Sequence, residues 1–233
     1  MSIAARDVAT LRAVAASIIC ALAASGCFDV RTVDPGPLVI DDFDDGDLAP
    51  ALTTFDSWGC YSFNAQAPTI DCARTQGADN SAFGLNLDFR VDDPPDGKQQ
   101  HGGAAVGSWG RAPVDINHYQ DFVFSAMLAS GTPALPSDAR LYVELGCGTA
   151  VAEDGSRPGD FYVLASADYK NYWQPFRIDI TSLGQPPWVV NKIEGGPARC
   201  RQLVDSIRFT VDAHLADGQS GQAVLTIDSI YLQ

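Results

Sequence analysis

The sequence predicts an all-β protein: two antiparallel sheets packed face to face as a β-sandwich, most simply a jelly roll. Apolar and polar residues alternate with period two in segment after segment of the chain. Clusters of Asp, Gly and Pro separate those segments, and the 14 prolines and 21 glycines leave little room for a long amphipathic helix.

The elements follow in order. An acidic turn at Asp44-Asp45-Gly46-Asp47 comes first, and Leu85, Leu87, Phe89 and Val91 then alternate with Asn86, Asp88 and Arg90 in a half-buried strand. After the turn Asp92-Asp93-Pro94-Pro95-Asp96-Gly97 the pattern returns in Phe122, Phe124, Ala126 and Leu128, and again in Leu141, Val143 and Leu145 around Tyr142 and Glu144. Asp154-Gly155-Ser156-Arg157-Pro158-Gly159 breaks the chain before Phe176, Ile178 and Ile180, which alternate with Arg177, Asp179 and Thr181. Gln185-Pro186-Pro187 precedes Ile207, Phe209 and Val211, and Asp217-Gly218 precedes the last strand. There the phase slips: Leu225 and Ile227 are odd-numbered, whereas Ile230 and Leu232 are even, which predicts a β-bulge at Asp228-Ser229 that re-aims the Asp228 carboxylate.

The start of the chain reads differently. Arg6 and Arg12 precede an apolar run, Ala13 to Ala24, that is shorter than the roughly 20 residues of a spanning helix. This is the layout of an export signal. Leu22-Ala23-Ala24-Ser25-Gly26-Cys27 resembles the lipobox of bacterial lipoproteins. The resemblance implies cleavage before Cys27, a diacylglyceryl thioether on its sulfur and an acylated amine, more than the single chain that anchors only marginally. The expected organisation is a signal peptide over 1–26, a lipidated tether over 27–37 containing Pro35-Gly36-Pro37, and one domain over 38–233. The expected location is the cell envelope; Phe28 rather than Asp follows Cys27, which favours the outer membrane or cell surface over the inner membrane by the sorting rule of enteric bacteria and leaves the leaflet open, since other phyla sort differently.

Loss of Arg6, Asp7 and Arg12 moves the formal net charge from -14 to -15. Lys98, Lys170 and Lys192 are the only lysines beyond Cys27, and no basic cluster exists, which argues against nucleic acid as a partner. Cys60, Cys72, Cys147 and Cys200 are an even number for an oxidising compartment. Three pairings are open. The favoured one joins Cys60 to Cys72 as a hairpin staple and Cys147 to Cys200 at strand ends. No CxxC or Cys/His spacing suggests zinc. The protein is expected to act as a monomer.

Several segments carry a family resemblance. Leu38-Val39-Ile40-Asp41-Asp42-Phe43-Asp44-Asp45-Gly46-Asp47 and the closing Leu225-Thr226-Ile227-Asp228-Ser229-Ile230-Tyr231-Leu232 resemble the opening and close of galactose-binding-like β-sandwich modules. That group includes glucan-binding carbohydrate-binding modules and single-module lipoproteins of myxobacteria. Ser57-Trp58-Gly59-Cys60-Tyr61, Gly107-Ser108-Trp109-Gly110, Val114-Asp115-Ile116 and Trp173-Gln174-Pro175-Phe176 follow in the family's order. The resemblance implies that the first and last strands pair. It also implies a structural calcium near that seam, with Asp42, Asp44, Asp79 and Asp228 as ligands, an oxygen-rich set of the kind calcium takes. Ser229 replaces the family's second acid, and Gly59-Cys60 separates Trp58 from Tyr61.

Tyr142, Glu144, Arg177, Asp179 and Arg208 all alternate away from the apolar sides of their strands, and with Trp109 they are the candidate glycan-binding residues on a concave sheet face. Aromatic planes flanked by hydrogen-bonding groups suit pyranose rings and hydroxyls. Tyr61, Trp58, Tyr172, Trp173 and Trp188 are further aromatic candidates. Glu144, Glu153 and Glu194 form no acid/base pair, and neither HExxH nor GxSxG occurs. The expected protein is therefore a non-catalytic, membrane-anchored lipoprotein that binds polysaccharide or cell-wall glycan. The alternative is a structural or protein-interaction surface lipoprotein without sugar binding.

Overall fold

A computed structural model describes residues 36–63, 71–75, 77–78, 81–92, 100–150, 152–155, 162–167, 170–187, 192–215 and 219–233, with the backbone alone for 71–75, 92, 100 and 162–167. The expected signal peptide, Cys27, Asp79, Trp188 and the Cys72 side chain lie outside the described residues. Gly36–Gln233 forms one compact unit. Among the described residues no helix is long and apolar enough to cross a membrane.

Two antiparallel sheets make the unit, as the alternation predicts. Its strands are β1 (Leu38–Asp41), β2 (Gly59–Phe63), β3 (Asp71–Thr75), β4 (Gly84–Asp92), β5 (Gln100–Val114), β6 (Asp121–Ser130), β7 (Arg140–Gly146), β8 (Tyr162–Ala167), β9 (Gln174–Asp179), β10 (Val204–Leu215) and β11 (Ser220–Leu232), with a short helix α1 (Gly196–Arg201) before β10. One sheet has the order β3-β4-β11-β6-β9, with β1 added to β11; the other runs β2-β5-β10-β7-β8.

The core lies between the sheets and is built by the residues whose phase selects that side. Leu85, Leu87 and Phe89 of β4, Leu225 and Ile227 of β11 and Phe124 of β6 face Leu141, Val143, Phe209 and Val211, all buried. Phe209 links the layers: its ring meets Phe124 edge-on at 5.0 Å and lies 6.1 Å from Phe122 and 6.3 Å from Trp58. At the edge strand β9 the alternation is weaker. Phe176 and Ile178 are only half-buried, and Phe176 stacks on Phe124 at 4.9 Å.

The predicted bulge is present. The β11–β6 register shifts between Asp228 and Tyr231, and Ser229 takes a left-handed φ of 55°. The extra residue returns Ile230 and Leu232 to the core after Leu225 and Ile227 have used the opposite parity. Beyond it β1 takes over from β4 as the neighbour of β11, with Leu38 opposite Leu232 and Asp41 opposite Ile230. First and last strands therefore lie side by side, as the end motifs imply.

Cys147 and Cys200 form a disulfide that ties the end of β7 to α1. Cys60 is also disulfide-bonded. The expected hairpin staple with Cys72 is corrected in one respect: β2 pairs with β5 and β3 pairs with β4, so the two cysteines sit in opposite sheets rather than in one hairpin.

Candidate functional site

The outward face of the β2-β5-β10-β7-β8 sheet gathers most of the expected residues. Register places Arg208 of β10 beside Gly107 of β5 and Glu144 of β7, and places Thr210 beside Ala105 and Tyr142. Small residues on β5 open the route for the large ones. A Cβ on Gly107 would come within 2.6 Å of Arg208 Cγ, so the arginine stem lies over that glycine. Its Nη1 then donates to the Tyr61 hydroxyl on β2 at 3.1 Å, and its Nε lies 3.3 Å from Glu144 Oε2. The Thr210 hydroxyl donates to the same Glu144 oxygen at 3.0 Å. Arg208 is only 6% exposed, so this is a desolvated ion pair held by neutral hydroxyls on both sides. Burial pushes the Tyr61 hydroxyl above its ordinary pKa, against the pull of Arg208. Burial does the same at Tyr142, helped by the Asp212 carboxylate.

Trp109 borders this polar row. It is 41% exposed, and its indole lies over Gly59, where an added Cβ would sit 3.8 Å from Cζ3. The Tyr61 ring is 6.2 Å away at 48°. Trp109 thus offers an aromatic face to solvent next to a set of hydroxyl, carboxylate and guanidinium groups.

Two expected members do not join them. Arg177 and Asp179 sit on β9, in the other sheet, because the crossover from β8 carries the chain across the sandwich. Arg177 donates from Nε and Nη2 to Asp121 Oδ2 at 2.8 and 2.6 Å, and that bond raises its pKa. Asp179 caps the following turn through Thr181, whose hydroxyl and amide hold its carboxyl below the usual range. Trp58 is a core residue. Its Nε1 donates to Asp41 Oδ2 at 2.7 Å, while Phe43 N donates to Oδ1 at 2.9 Å and fixes the left-handed φ of 57° at Phe43. Burial drives the Asp41 pKa up to about 6 against those two donors. Tyr172 is 58% exposed and Trp173 half-buried, both preceding β9 and away from the polar row.

The acids expected to hold calcium divide. Asp228 is fully buried by the bulge; Oδ2 accepts from Ala78 N at 2.7 Å, and Oδ1 has no hydrogen-bond partner among the described residues. Burial raises its pKa against the Ala78 amide and the amide and hydroxyl of Ser229, and the Asp44 charge adds a smaller rise, which brings these two carboxylates into one electrostatic neighbourhood. Asp44 accepts from Ser81 Oγ at 2.8 Å. A side chain at Gly77 would collide with the Phe83 carbonyl and the Asp228 carboxylate, so the cradle beside Asp228 is kept open by a glycine. Asp42 is exposed and caps the Asp44 amide at 3.3 Å. Among the described residues no three His, Cys, Asp or Glu side chains already converge on one point. The orphaned oxygen and the hard-oxygen donors fit a calcium ion in kind.

With this geometry in place, the class is a two-sheet antiparallel jelly-roll sandwich. It is similar to the family 11 carbohydrate-binding module from Clostridium thermocellum in complex with a β-1,3-1,4-mixed-linked tetrasaccharide: 17% identity and a TM-score of 0.50 over 84% of this chain and 94% of that one. The solution structure of CtCBM11 gives the same identity of 17%, TM-score of 0.50 and coverages of 84% and 94%. At such identity the likeness is one of fold. No family model matches the sequence, and no curated protein matches it.

Proposed function

We propose that the protein is a non-catalytic glycan-binding lipoprotein that holds a polysaccharide or cell-wall glycan on the outward face of the β2-β5-β10-β7-β8 sheet. The observation that carries this reading is the exposed Trp109 indole set over Gly59 beside the Tyr61–Arg208–Glu144–Thr210 network. A pyranose stacked on Trp109 would set its hydroxyls toward the neighbouring Tyr61, and further sugar units running across the sheet would be needed to reach Glu144 and Tyr142 on β7. The fold shared with a module solved together with an oligosaccharide supports the same reading. Cys27 would tether the domain to the envelope membrane by its lipid, and fatty-acid labelling that a Cys27→Ser variant loses would test that tether.

Calcium belongs to the proposal as a structural ion. Asp228 and Asp44 would hold it, with Asp79 and Asp42 as the remaining acids of the loop set. Bound there, the ion would neutralise two carboxylates that otherwise repel each other across the β11 bulge.

Binding to an array of soluble and insoluble polysaccharides tests the function. Trp109→Ala is expected to weaken binding about tenfold or more, the scale of truncating an aromatic anchor, with little change in melting temperature. A clean negative for the wild-type chain across the array would favour the alternative, a structural or protein-interaction lipoprotein. That alternative draws on the burial of Arg208 and its engagement with Tyr61 and Glu144 of the same sheet.

A further inference from the structure

Along the same face, beyond Asp212 and Gly103, β10 and β5 set His214 and His101 directly opposite each other in register. Their rings stack with centroids 5.0 Å apart and 23° between planes. His101 is 67% exposed at its side chain, and its Nδ1 lies 3.0 Å from Asp212 Oδ2. The other Asp212 oxygen, Oδ1, is buried without a hydrogen-bond partner among the described residues. Asp212 acts on the polar row only through its charge, at Tyr142, and neither histidine takes part in the hydrogen bonds described for that row.

A carboxylate that receives Nδ1–H fixes an imidazole as the tautomer with its lone pair on Nε2, which is the support that metal-binding histidines ordinarily have. Directly opposed residues of an antiparallel pair keep their Cβ atoms about 5 Å apart. Two imidazoles sharing one tetrahedral ion, each about 2.0 Å from it, have ring centres about 5 Å apart. The 5.0 Å separation therefore suffices once the His214 ring turns about its Cβ–Cγ bond out of the stack, bringing a nitrogen toward the point that His101 Nε2 faces. We propose that His101 and His214 chelate a borderline divalent transition-metal ion such as Zn2+, with Asp212 as the positioning residue for His101. Because among the described residues no third His, Cys, Asp or Glu converges on the point, solvent is taken to complete the shell and the ion to be exchangeable rather than structural. Imidazole nitrogens discriminate against the hard cations that carboxylates such as Asp44 and Asp228 suit. Asp138 faces Asp212 and adds negative charge to the same end of the sheet.

The full chain, stripped with chelator and then held in excess CaCl2 at neutral pH, is titrated with ZnCl2 by calorimetry and melted with and without it. One-to-one binding with a rise in melting temperature is expected. His101→Ala and His214→Ala should each lower affinity at least about tenfold, and Asp212→Asn, which leaves both rings in place, should lower it by about tenfold as well. Absence of any Zn2+ effect on the wild-type chain overturns the proposal. So does binding that survives in both histidine variants.

Discussion

Asp41 provides the most quantitative test of the packing. It is 1% exposed and accepts one hydrogen bond at each oxygen, from Trp58 Nε1 and Phe43 N. Desolvation nevertheless dominates and lifts its pKa from 3.8 to about 6. The folded state therefore holds this proton over a range where the unfolded chain has released it. The associated stability is fully present below pH 3.8 and is lost as pH rises through 6. A shift of that size corresponds to about 3 kcal/mol at pH 7 and above. Asp41→Asn removes the titration and resembles the protonated acid, at the cost of setting its amide nitrogen against one of the two N–H donors, about 1–3 kcal/mol at every pH. The decisive quantity is the difference in unfolding free energy, variant minus wild type, from urea titrations in chelator between pH 4 and 8. That difference should rise by about 2.4 kcal/mol across the interval, the remaining carboxylates cancelling between the two proteins. A flat difference, or one that falls as pH rises, would show that the two donors hold the charged form and that desolvation does not prevail.

Other outcomes follow from the same contacts. Glu144→Gln leaves Arg208 without its counter-charge in a site where the arginine is 6% exposed, and should destabilise by about 3–5 kcal/mol in denaturant titrations; Glu144→Gln with Arg208→Met should recover much of that loss. Phe209→Ala empties the meeting point of three aromatic side chains and should cost about 3–5 kcal/mol, read as a lowered urea midpoint with little change in slope. Calcium added to chelated protein should raise the melting temperature, and Asp228→Asn should abolish that rise; an unchanged wild-type melt would remove calcium from the proposed function.

Much of the fold was legible because burial imposes parity. Leu85 to Val91 and Leu141 to Leu145 could face a core in only one way, and the slip from Ile227 to Ile230 required the bulge that Ser229 makes at φ 55°. The disulfide between Cys147 and Cys200 was the favoured of three open pairings, although Cys200 sits in α1 rather than at a strand end. Partnership between strands was less accessible. Arg177 and Asp179 have the same alternation as Tyr142 and Glu144, and periodicity says which side a residue faces without saying which sheet it belongs to. Trp58 was expected among the glycan-facing aromatic candidates, but it is seated in the core by donating its indole N–H to Asp41, 17 positions earlier. The opposition of His101 and His214 depends on the register of two strands separated by more than a hundred residues, which no local pattern encodes.

The pairing of Leu38 with Leu232 also governs how this unit can be handled as a piece of architecture. A fold whose opening and closing strands adjoin can be grafted into a surface loop of a host, or cut open elsewhere and rejoined through a short linker, while both layers stay intact. Both boundaries then leave from neighbouring strands of one sheet, so a graft made there leaves the other sheet's outward face untouched.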